Sequence, residues 1–345
     1  MSQLTKDSVL AALSTVLDPE LQKDLVTLKM IKDVQVQDSK VTFIVELTTP
    51  ACPLKNQIKQ SAEAAVLALD GVDAVEVTMG ARVPEDTKIK DLAVKNIIAV
   101  GSGKGGVGKS TIAVNLAVAL AQAGAKVGLM DADIYGPNVP TMMGVVALPP
   151  TPQGKKIQTA EAYGVKVMSI GFMVAPGQPL IWRGPMLHSA IKQFLQDVDW
   201  GELDYLIVDL PPGTGDVQLS LVQTVPLSGG VVVTMPQQVS FDDAARAVGM
   251  FQKMDVPILG VIENMSYLEL EDGTIRRIFG EGGGEDLARV ASAPLLGSIP
   301  IDEKIRVGGD GGAPVVAVDP DSPGAKAMTA MAQSVAARMS MQIRG

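Results

Sequence analysis

The stretch "GSGKGGVGKST", residues 101–111, decides the fold because it has the G-x-x-x-x-G-K-[ST] pattern of a phosphate-binding loop. An apolar run that is typical of a strand precedes it, and a run with helical composition follows it. In that setting backbone N–H groups and the helix N-terminus bind phosphate oxygens, Lys109 meets the β- and γ-phosphates, and the Ser110 hydroxyl ligates magnesium. The predicted nucleotide-binding residues of the loop are Gly103, Lys104, Gly105, Gly106, Val107, Gly108, Lys109, Ser110 and Thr111.

Outward from the loop, short apolar runs alternate with helical segments such as "FDDAARAVGMFQKM". Runs that are apolar on both faces predict a parallel sheet covered by helices on both sides. The fold class is therefore α/β, a doubly wound and mostly parallel sheet whose site lies at the carboxyl ends of the strands. The predicted strands are "NIIAVGSG", "KVGLMDAD", "VKVMSIGF", "DYLIVDLPP", "GGVVVTMP", "PILGVIENM" and "PLLGSIP".

The first eighty residues have a different pattern: helix, strand, strand, helix, strand, as in "KVTFIVEL" followed by "KNQIKQSAEAAVLAL". This pattern predicts a small α+β domain over residues 1–80. The polar stretch "GARVPEDTKIKDLAV" contains Gly80 and Pro84 and is typical of a linker. We expect a linker over residues 81–94 and the phosphate-binding domain over residues 95–345.

Two predicted strands after the loop end in carboxylates. "LMDADIYGPN" supplies Asp131 and Asp133, either of which could orient an attacking water or accept its proton. "YLIVDLPPGTGD" supplies Asp209, the residue type that holds magnesium through water, and then a loop able to respond to the γ-phosphate. Strand-terminal aspartates also cap helices, but two of them downstream of a phosphate-binding loop favour a site.

The loop contains a second lysine, Lys104, five residues before Lys109, and the form "KGGVGKST" is a deviant Walker motif. In this the sequence resembles the MinD/ParA/nitrogenase-iron-protein class of P-loop ATPases. The resemblance implies a face-to-face homodimer in which Lys104 reaches the partner's nucleotide and supplies the charge of an arginine finger. It also favours Asp133 over Asp131 as the catalytic carboxylate. A solvated loop lysine is the alternative for Lys104.

A guanine-reading N/T-K-x-D signature does not occur in the sequence. "VIENMS" provides Asn264, and "GSIPID" provides Pro300 and Asp302. In the class that the chain resembles, these positions border the adenine. We therefore expect ATP, with Mg²⁺, rather than GTP.

Within this class the chain most closely resembles the Mrp/ApbC family of iron–sulfur cluster carriers. The shared segments include "DADIYGPNVPTMMG", "IWRGPM" at 181–186, "DYLIVDLPPGTGD", "MPQQVS" and "VIENMS", and "LDPEL" and "TTPACPLK" resemble the MIP18-type (DUF59) domain. The resemblance implies a bound iron–sulfur cluster and, as partners, apo iron–sulfur proteins and assembly factors. One departure is the C-x-x-C pair that most members carry after "ENMS". This sequence lacks it, as does a plastid branch of the family.

Cys52 is the one cysteine of the chain. Pro53 suits a first helical position, which predicts Cys52 at a helix N-cap where the helix dipole, Lys55 and Lys59 favour the thiolate. We expect either an iron–sulfur ligand or a small, partly buried side chain. The single histidine, His188, is interpreted as a surface or capping residue rather than a metal ligand.

The composition limits the function classes. Lys and Arg number 29 against 38 Asp and Glu, a net charge of −9, which argues against general nucleic-acid binding. A signal peptide and a long apolar span are not predicted, and the Ala- and Met-rich C-terminal stretch is interpreted as a packed helix rather than a membrane anchor. One cysteine excludes a disulfide framework, so we expect a cytoplasmic protein without a membrane partner.

The sequence thus favours an ATP-hydrolysing homodimer that transfers iron–sulfur clusters to apoproteins. Two alternatives stay open. One is a positioning ATPase of the MinD/ParA kind, which requires a membrane-seeking tail or a basic DNA-binding face. The other is an ATP-dependent adaptor in cluster assembly that does not itself hold the cluster.

Overall fold

The structure is a computed structural model that describes residues 4–89, 92–173 and 184–344. Two sheets organise it: a small one in the N-terminal part and a large one in the rest of the chain. Among the helices of the described residues, none combines the length and the apolar content that a membrane span requires.

The N-terminal part is a three-stranded sheet covered by two helices. The elements of this part are α1 (Lys6–Leu13), β1 (Leu17–Asp18), β2 (Lys23–Asp24), β3 (Ile31–Gln37), β4 (Lys40–Leu47), α2 (Lys55–Leu67) and β5 (Ala74–Ala81). Strands β3, β4 and β5 form the sheet, and β1 and β2 form a separate antiparallel pair. Strand β4 is central, antiparallel to β3 and parallel to β5. Alternate residues of β4, Val41, Phe43 and Val45, are buried with Val9 of α1 and Ile58 of α2. The predicted small α+β domain is confirmed.

The large sheet has eight strands in the order β15-β12-β11-β6-β10-β7-β9-β8. Every neighbouring pair is parallel except β8 with β9 at one edge. The second part of the chain contains the strands β6 (Val94–Ser102), β7 (Val127–Asp131), β8 (Ala160–Ala162), β9 (Val165–Ser169), β10 (Leu203–Asp209), β11 (Gly229–Thr234), β12 (Ile258–Glu263), β13 (Leu268–Glu269), β14 (Ile275–Arg276) and β15 (Leu295–Ser298). The short pair β13 and β14 forms a separate hairpin.

Helices cover both faces of this sheet. They are α3 (Lys109–Gln122), α4 (Val139–Met142), α5 (Gly184–Gln196), α6 (Asp216–Thr224), α7 (Gln238–Lys253), α8 (Gly283–Ala291), α9 (Glu303–Asp310), α10 (Val315–Val318) and α11 (Pro323–Arg344), with a 3₁₀ turn at Ile170–Met173. Strand β6 shows why two layers are needed, since Ile98 and Val100 pack in one core with α3 and α11 while Ile97 and Ala99 pack in the other with α5 and α7. The predicted doubly wound α/β fold is confirmed.

The segment between the two sheets packs against the large sheet. Val83 and Ile89 are buried in its two cores, and Asp86 is also buried. The Asp86 N–H donates to the Lys95 carbonyl over 2.9 Å, and Asn96 Nδ2 donates to the Pro84 carbonyl over 2.9 Å. Although most of this segment is polar, its apolar residues Val83 and Ile89 anchor it to the large sheet.

Candidate functional site

The carboxyl ends of three central strands meet at the phosphate-binding loop. In the sheet β10 lies between β6 and β7, and Asp209 is in register with Val100 on one side and with Asp131 on the other. The loop that follows β6 is thereby placed beside both carboxylate-bearing strand ends. A cavity of about 640 Å³ opens there, and Lys104, Lys109, Ser110 and Asp133 line it.

Two glycines give the loop its close packing. A Cβ atom at Gly103 would lie 2.0 Å from the backbone carbonyl carbon of Asp243 in α7. Gly108 has φ +85°, and a Cβ atom there would lie 2.1 Å from Asn264 Nδ2. Only glycine leaves room for both approaches and adopts that φ without strain. The loop is therefore held against α7 and the end of β12.

Lys109 is buried among carboxylates. Its Nζ lies 2.7 Å from Asp209 Oδ1 and 3.6 Å from Asp133 Oδ2. The Ser110 hydroxyl donates to the other Asp209 oxygen, Oδ2, over 2.5 Å. Burial raises the pKa of Asp209 above its ordinary value, and the ammonium of Lys109 opposes that rise. The three side chains form one cluster, which we call the Lys109–Ser110–Asp209 cluster.

The two aspartates after β7 have different environments. Asp131 is fully buried, and its carboxylate accepts from Ser169 Oγ over 2.8 Å and from the Asp133 N–H over 3.1 Å. Burial, together with the nearby Asp209, raises the pKa of Asp131 to about 7. Asp133 lines the cavity, and its Oδ1 accepts from the Tyr135 N–H over 3.1 Å. Asp131 thus holds the segment that presents Asp133 to the cavity.

Lys104 lines the cavity and is half-buried. Its backbone carbonyl accepts from Ser102 Oγ over 3.0 Å, which fixes the loop at this point. Its ammonium forms no ion pair with the residues that the structure describes. In this respect Lys104 differs from Lys109, whose charge is balanced inside the chain.

Asn264, Pro300 and Asp302, the residues predicted to border the adenine, all line the cavity. The side chains of Asn264 and Asp302 also form hydrogen bonds within the protein. Asn264 Nδ2 donates to the Val107 carbonyl over 2.9 Å. The Asp302 carboxylate caps α9 by accepting from the Lys304 N–H over 2.8 Å, and it accepts from the Gly324 N–H over 3.1 Å. Asn264 and Asp302 therefore shape this end of the cavity through contacts within the protein, and Pro300 adds an apolar wall.

Sequence reasoning missed further lining residues. Asn138, Thr141 and Met142 come from the segment after Asp133, and Ile305 and Arg306 come from α9. The stretch "GPNVPTMMG" and the helix start after "GSIPID" were the signals that could have located them. Both sets lie close to strand ends that the sequence had already marked.

The predicted placement of Cys52 at a helix N-cap was wrong. Helix α2 begins at Lys55 with Leu54 at its N-cap, so Cys52 lies before the helix start. Partial burial raises the pKa of the Cys52 thiol to about 11, and the negative charges of Glu20 and Asp18 add to the rise. Desolvation and the two carboxylates outweigh the backbone hydrogen bond at Leu54 and the positive charge of Lys55, which lower the pKa, so the thiol form is favoured.

Two further sequence predictions concern the region of α5. His188 is exposed on α5, and its Nδ1 lies 2.7 Å from the Thr224 hydroxyl, in keeping with a surface role. Residues 181–183 of the predicted "IWRGPM" segment lie outside the described residues. Within the described part of the chain no group of three or more Cys, His, Asp or Glu side chains is arranged to hold a metal ion.

Comparison with known families gives two matches. Residues 93–336 match the ParA family, described as NUBPL iron-transfer P-loop NTPase. Residues 6–79 match a family described as iron-sulfur cluster assembly protein. The first match contains the phosphate-binding loop and all three aspartates, and the second contains Cys52.

Curated relatives are similar over nearly the whole chain. The iron-sulfur cluster carrier protein of Synechocystis sp. is 53% identical over 348 residues, covering 98% of this chain and 99% of the relative. The chloroplastic Fe-S cluster assembly factor HCF101 of Arabidopsis thaliana is 44% identical over 329 residues, covering 93% of this chain and 61% of the relative.

Solved structures resemble the phosphate-binding part. A nucleotide-binding protein from Archaeoglobus fulgidus in complex with ADP has a TM-score of 0.57 and 37% identity, covering 64% of this chain and 87% of that one. The septum site-determining protein MinD of Pyrococcus horikoshii, complexed with Mg-ADP, has a TM-score of 0.53 and 26% identity, covering 69% and 94%.

Proposed function

Because the chain belongs to the ParA family of iron-transfer P-loop NTPases, we propose that it is an ATP-hydrolysing homodimer that transfers iron–sulfur clusters to apoproteins. The observation that carries the proposal is the Lys109–Ser110–Asp209 cluster, of which Lys109 and Ser110 line the cavity and Asp209 is buried behind them. The match of residues 6–79 to an iron-sulfur cluster assembly family supports the choice of cargo. The relatives that are named as cluster carriers support it as well.

The donor set of the cavity fits Mg²⁺. The Ser110 hydroxyl and the Asp209 carboxylate are oxygen ligands, which Mg²⁺ prefers, and the glycine-lined loop leaves space for the phosphates that complete its coordination. Bound Mg²⁺ neutralises charge on the phosphates. Lys109 contacts Asp209 at 2.7 Å, and phosphate oxygens compete for the same ammonium. We expect Lys109 to turn from Asp209 toward the β- and γ-phosphates of ATP.

Hydrolysis is assigned to Asp133 and Lys104. Asp133 lines the cavity beside Lys109 and its carboxylate accepts from the Tyr135 N–H, which supports a role in positioning an attacking water. Lys104 is a half-buried residue that lines the cavity, and its charge has no ion-pair partner among the described residues. Across a face-to-face dimer it supplies positive charge to the partner's γ-phosphate.

A phosphate-release assay tests the nucleotide half of the proposal. We expect Mg-dependent release from ATP by the wild type, and a loss of roughly 100-fold or more in Lys109→Ala, because phosphoryl transfer depends on charge stabilisation. Lys126→Ala is the matched control, since Lys126 is an exposed lysine paired with Glu202 outside the cavity. Equal rates in Lys109→Ala and the wild type would contradict the assignment.

The cluster half of the proposal depends on Cys52, which is the one thiol of the chain. Two protomers provide two thiolates, whereas a cluster is commonly held by four, so a client or a small thiol would complete the ligand set. The test is anaerobic reconstitution with iron and sulfide, followed by transfer to an apo-ferredoxin with and without MgATP. We expect bound, transferable iron and sulfide in the wild type and their loss in Cys52→Ser.

One observation favours a second candidate, an ATP-driven assembly factor that does not hold the cluster. The Cys52 thiol is half-buried beside Glu20 and Asp18, and its pKa of about 11 opposes ligation by thiolate. In that case reconstitution leaves the wild type without iron, while MgATP still accelerates transfer from a separate cluster donor to the apo-ferredoxin. Cys52→Ser then behaves as the wild type does.

A further inference from the structure

Gln218 is a buried amide without a partner among the described residues. It belongs to the first turn of α6, its side chain is 1% exposed, and neither Oε1 nor Nε2 has a hydrogen bond. The amide lies next to Gly101 of β6, the strand that precedes the phosphate-binding loop. A Cβ atom at Gly101 would lie 3.6 Å from Gln218 Nε2 and 3.1 Å from Phe251 Cζ. An amide in such apolar surroundings is unfavourable unless another conformation pairs it.

The position of Gln218 in α6 provides that second conformation. Gly215 is the N-cap of α6 and has no side-chain cap. Gln218 is the third residue of the helix, the position from which a Gln or Glu side chain reaches back to the N-cap N–H in a capping box. The Gln218 amide cannot be buried beside β6 and bonded to the Gly215 N–H at the same time, so these are two alternative conformations of one side chain.

The loop before α6 connects Gln218 to the cavity. It runs from Asp209 to Gly215, and its Pro212 lines the cavity beside Gly105 of the phosphate-binding loop. The Gly213 N–H donates to the Ser102 carbonyl over 3.1 Å, which ties the two loops together. If a nucleotide moves Lys109 away from Asp209, it therefore changes the contacts of the loop between Asp209 and Gly215, the N-cap of α6.

We propose that Gln218 is a positioning residue that couples the nucleotide to α6: its amide is buried and unpaired while Lys109 contacts Asp209, and it caps the Gly215 N–H when the loop closes on the γ-phosphate. This inference rests on the proposed nucleotide function. In the capped state the Gln218 amide has a hydrogen-bond partner, which it lacks in the buried state. Gln218 therefore raises the affinity for ATP relative to that for ADP.

Two substitutions shift this equilibrium in opposite directions. Gln218→Met keeps the side-chain length, removes the unpaired amide and cannot cap, so it favours the buried placement. Gln218→Glu can cap, but its carboxylate is disfavoured in the apolar placement. Ser340→Ala is the control, because Ser340 in α11 also has a buried hydroxyl without a partner among the described residues and does not line the cavity.

The readout is the ratio of two dissociation constants, for MgADP and for the magnesium complex of a non-hydrolysable ATP analogue, measured by calorimetry. We expect the preference for the ATP analogue to fall roughly 5- to 30-fold in Gln218→Met, as the loss of one buried amide partner implies. We expect it to rise in Gln218→Glu and to stay unchanged in Ser340→Ala, although Ser340→Ala and Gln218→Met both raise the melting temperature of the protein without nucleotide.

An unchanged preference in Gln218→Met, or a fall in both Gln218 variants, would overturn the inference and leave a fixed structural role. If Gln218→Met does not fold, Gln218→Leu gives the same comparison. Failure of the proposed function looks different, because the wild type and Ser340→Ala would then bind neither nucleotide.

Discussion

At the residue scale, the Lys109–Asp209 pair is the most buried charge pair of the site. Lys109→Met leaves the Asp209 carboxylate buried with only the Ser110 hydroxyl, so we expect the free energy of unfolding at pH 7.5 to fall by about 3 kcal/mol. The double variant Lys109→Met/Asp209→Asn removes the unpaired charge and recovers most of that loss. Urea unfolding of the protein without nucleotide measures both. An equal loss in the single and double variants would contradict this account.

Asp131 gives a pH dependence whose sign is fixed by its raised pKa of about 7. An unfolded carboxyl titrates near about pH 4, so the folded state binds the additional proton between the two values. The stability that this proton provides is complete below about pH 4 and is lost as the pH rises through about 7. Relative to Asp131→Asn, the wild type therefore loses up to about 1.4 kcal/mol of unfolding free energy per pH unit in this window.

Unfolding at a series of pH values from 5 to 9 checks this dependence. Ser169→Ala is informative because the Ser169 hydroxyl donates to the Asp131 carboxylate over 2.8 Å and lowers its pKa. Its removal raises the pKa further, so the decline should continue to higher pH. Parallel pH curves for the wild type and Asp131→Asn would rule out the titration of Asp131.

Residues beside a strong local pattern were the ones that the sequence could locate. Asp133 and Asp209 follow apolar runs, and the sheet brings those strand ends together. The state of Cys52 depends instead on groups distant in sequence, Asp18 and Glu20, and on burial. The sequence predicts a helix after Pro53, but it does not predict how far Cys52 is buried from solvent. The partners of Asn264 and Asp302 are tertiary contacts for the same reason.

At the element scale, the seven predicted strands of the large sheet are present because each is a short apolar run, and six of them are buried along most of their length. The seventh, β15, lies at the edge of the sheet and is only partly buried. Strand β8 has three residues and pairs antiparallel at the edge, so it has no comparable signal. The segment between β5 and β6 has the composition of a linker because its two buried residues, Val83 and Ile89, are separated from each other by polar residues. Single apolar residues carry no periodicity, and their burial is decided by the sheet they meet.

The contact between the phosphate-binding loop and α7 gives a prediction for two glycines. Gly103→Ala drives a Cβ atom to within 2.0 Å of the Asp243 carbonyl carbon, so loop and helix must separate. We expect a loss of about 1–3 kcal/mol in stability and roughly tenfold weaker ATP binding. Gly249→Ala is the control on the same helix, because no atom lies within 4 Å of its added Cβ.

Gly249→Ala should raise stability by about 0.5–1 kcal/mol through helix propensity and leave ATP affinity unchanged. Thermal unfolding and ATP titration of both variants provide the comparison. Unaltered ATP affinity in Gly103→Ala would show that the approach of the loop to α7 does not shape the site.

At the scale of the whole molecule, the N-terminal part is joined to the strand that ends in Asp209. The Tyr205 hydroxyl in β10 donates to Thr49 Oγ1 over 3.2 Å, and both side chains are buried. Ala51 packs in the same core as α3, which begins at Lys109. Cys52 is the next residue, so the segment that bears the thiol is seated on the nucleotide-binding part of the chain. Under the proposed function, this continuity would connect nucleotide binding to the segment that bears the thiol.

The dimer itself can be tested by mixing two inactive variants. If Lys104 acts across the interface, a complete site needs Asp133 from one protomer and Lys104 from the other. Lys104→Ala and Asp133→Ala should each lose ATP hydrolysis. Half of the dimers in an equal mixture after subunit exchange contain both variants, and each of these has one complete site, so we expect about a quarter of the wild-type rate.

The restored rate identifies where Lys104 acts. If Lys104 served the nucleotide of its own chain, neither site of a mixed dimer would be complete, and the mixture would stay inactive. A mixture of Lys109→Ala with Lys104→Ala should again give about a quarter of the wild-type rate, since Lys109 and Asp133 contact the same cavity. A mixture of Lys109→Ala with Asp133→Ala should remain inactive, because each protomer then lacks a residue of its own site. Inactivity of all three mixtures, despite demonstrated subunit exchange, would contradict catalysis across the interface.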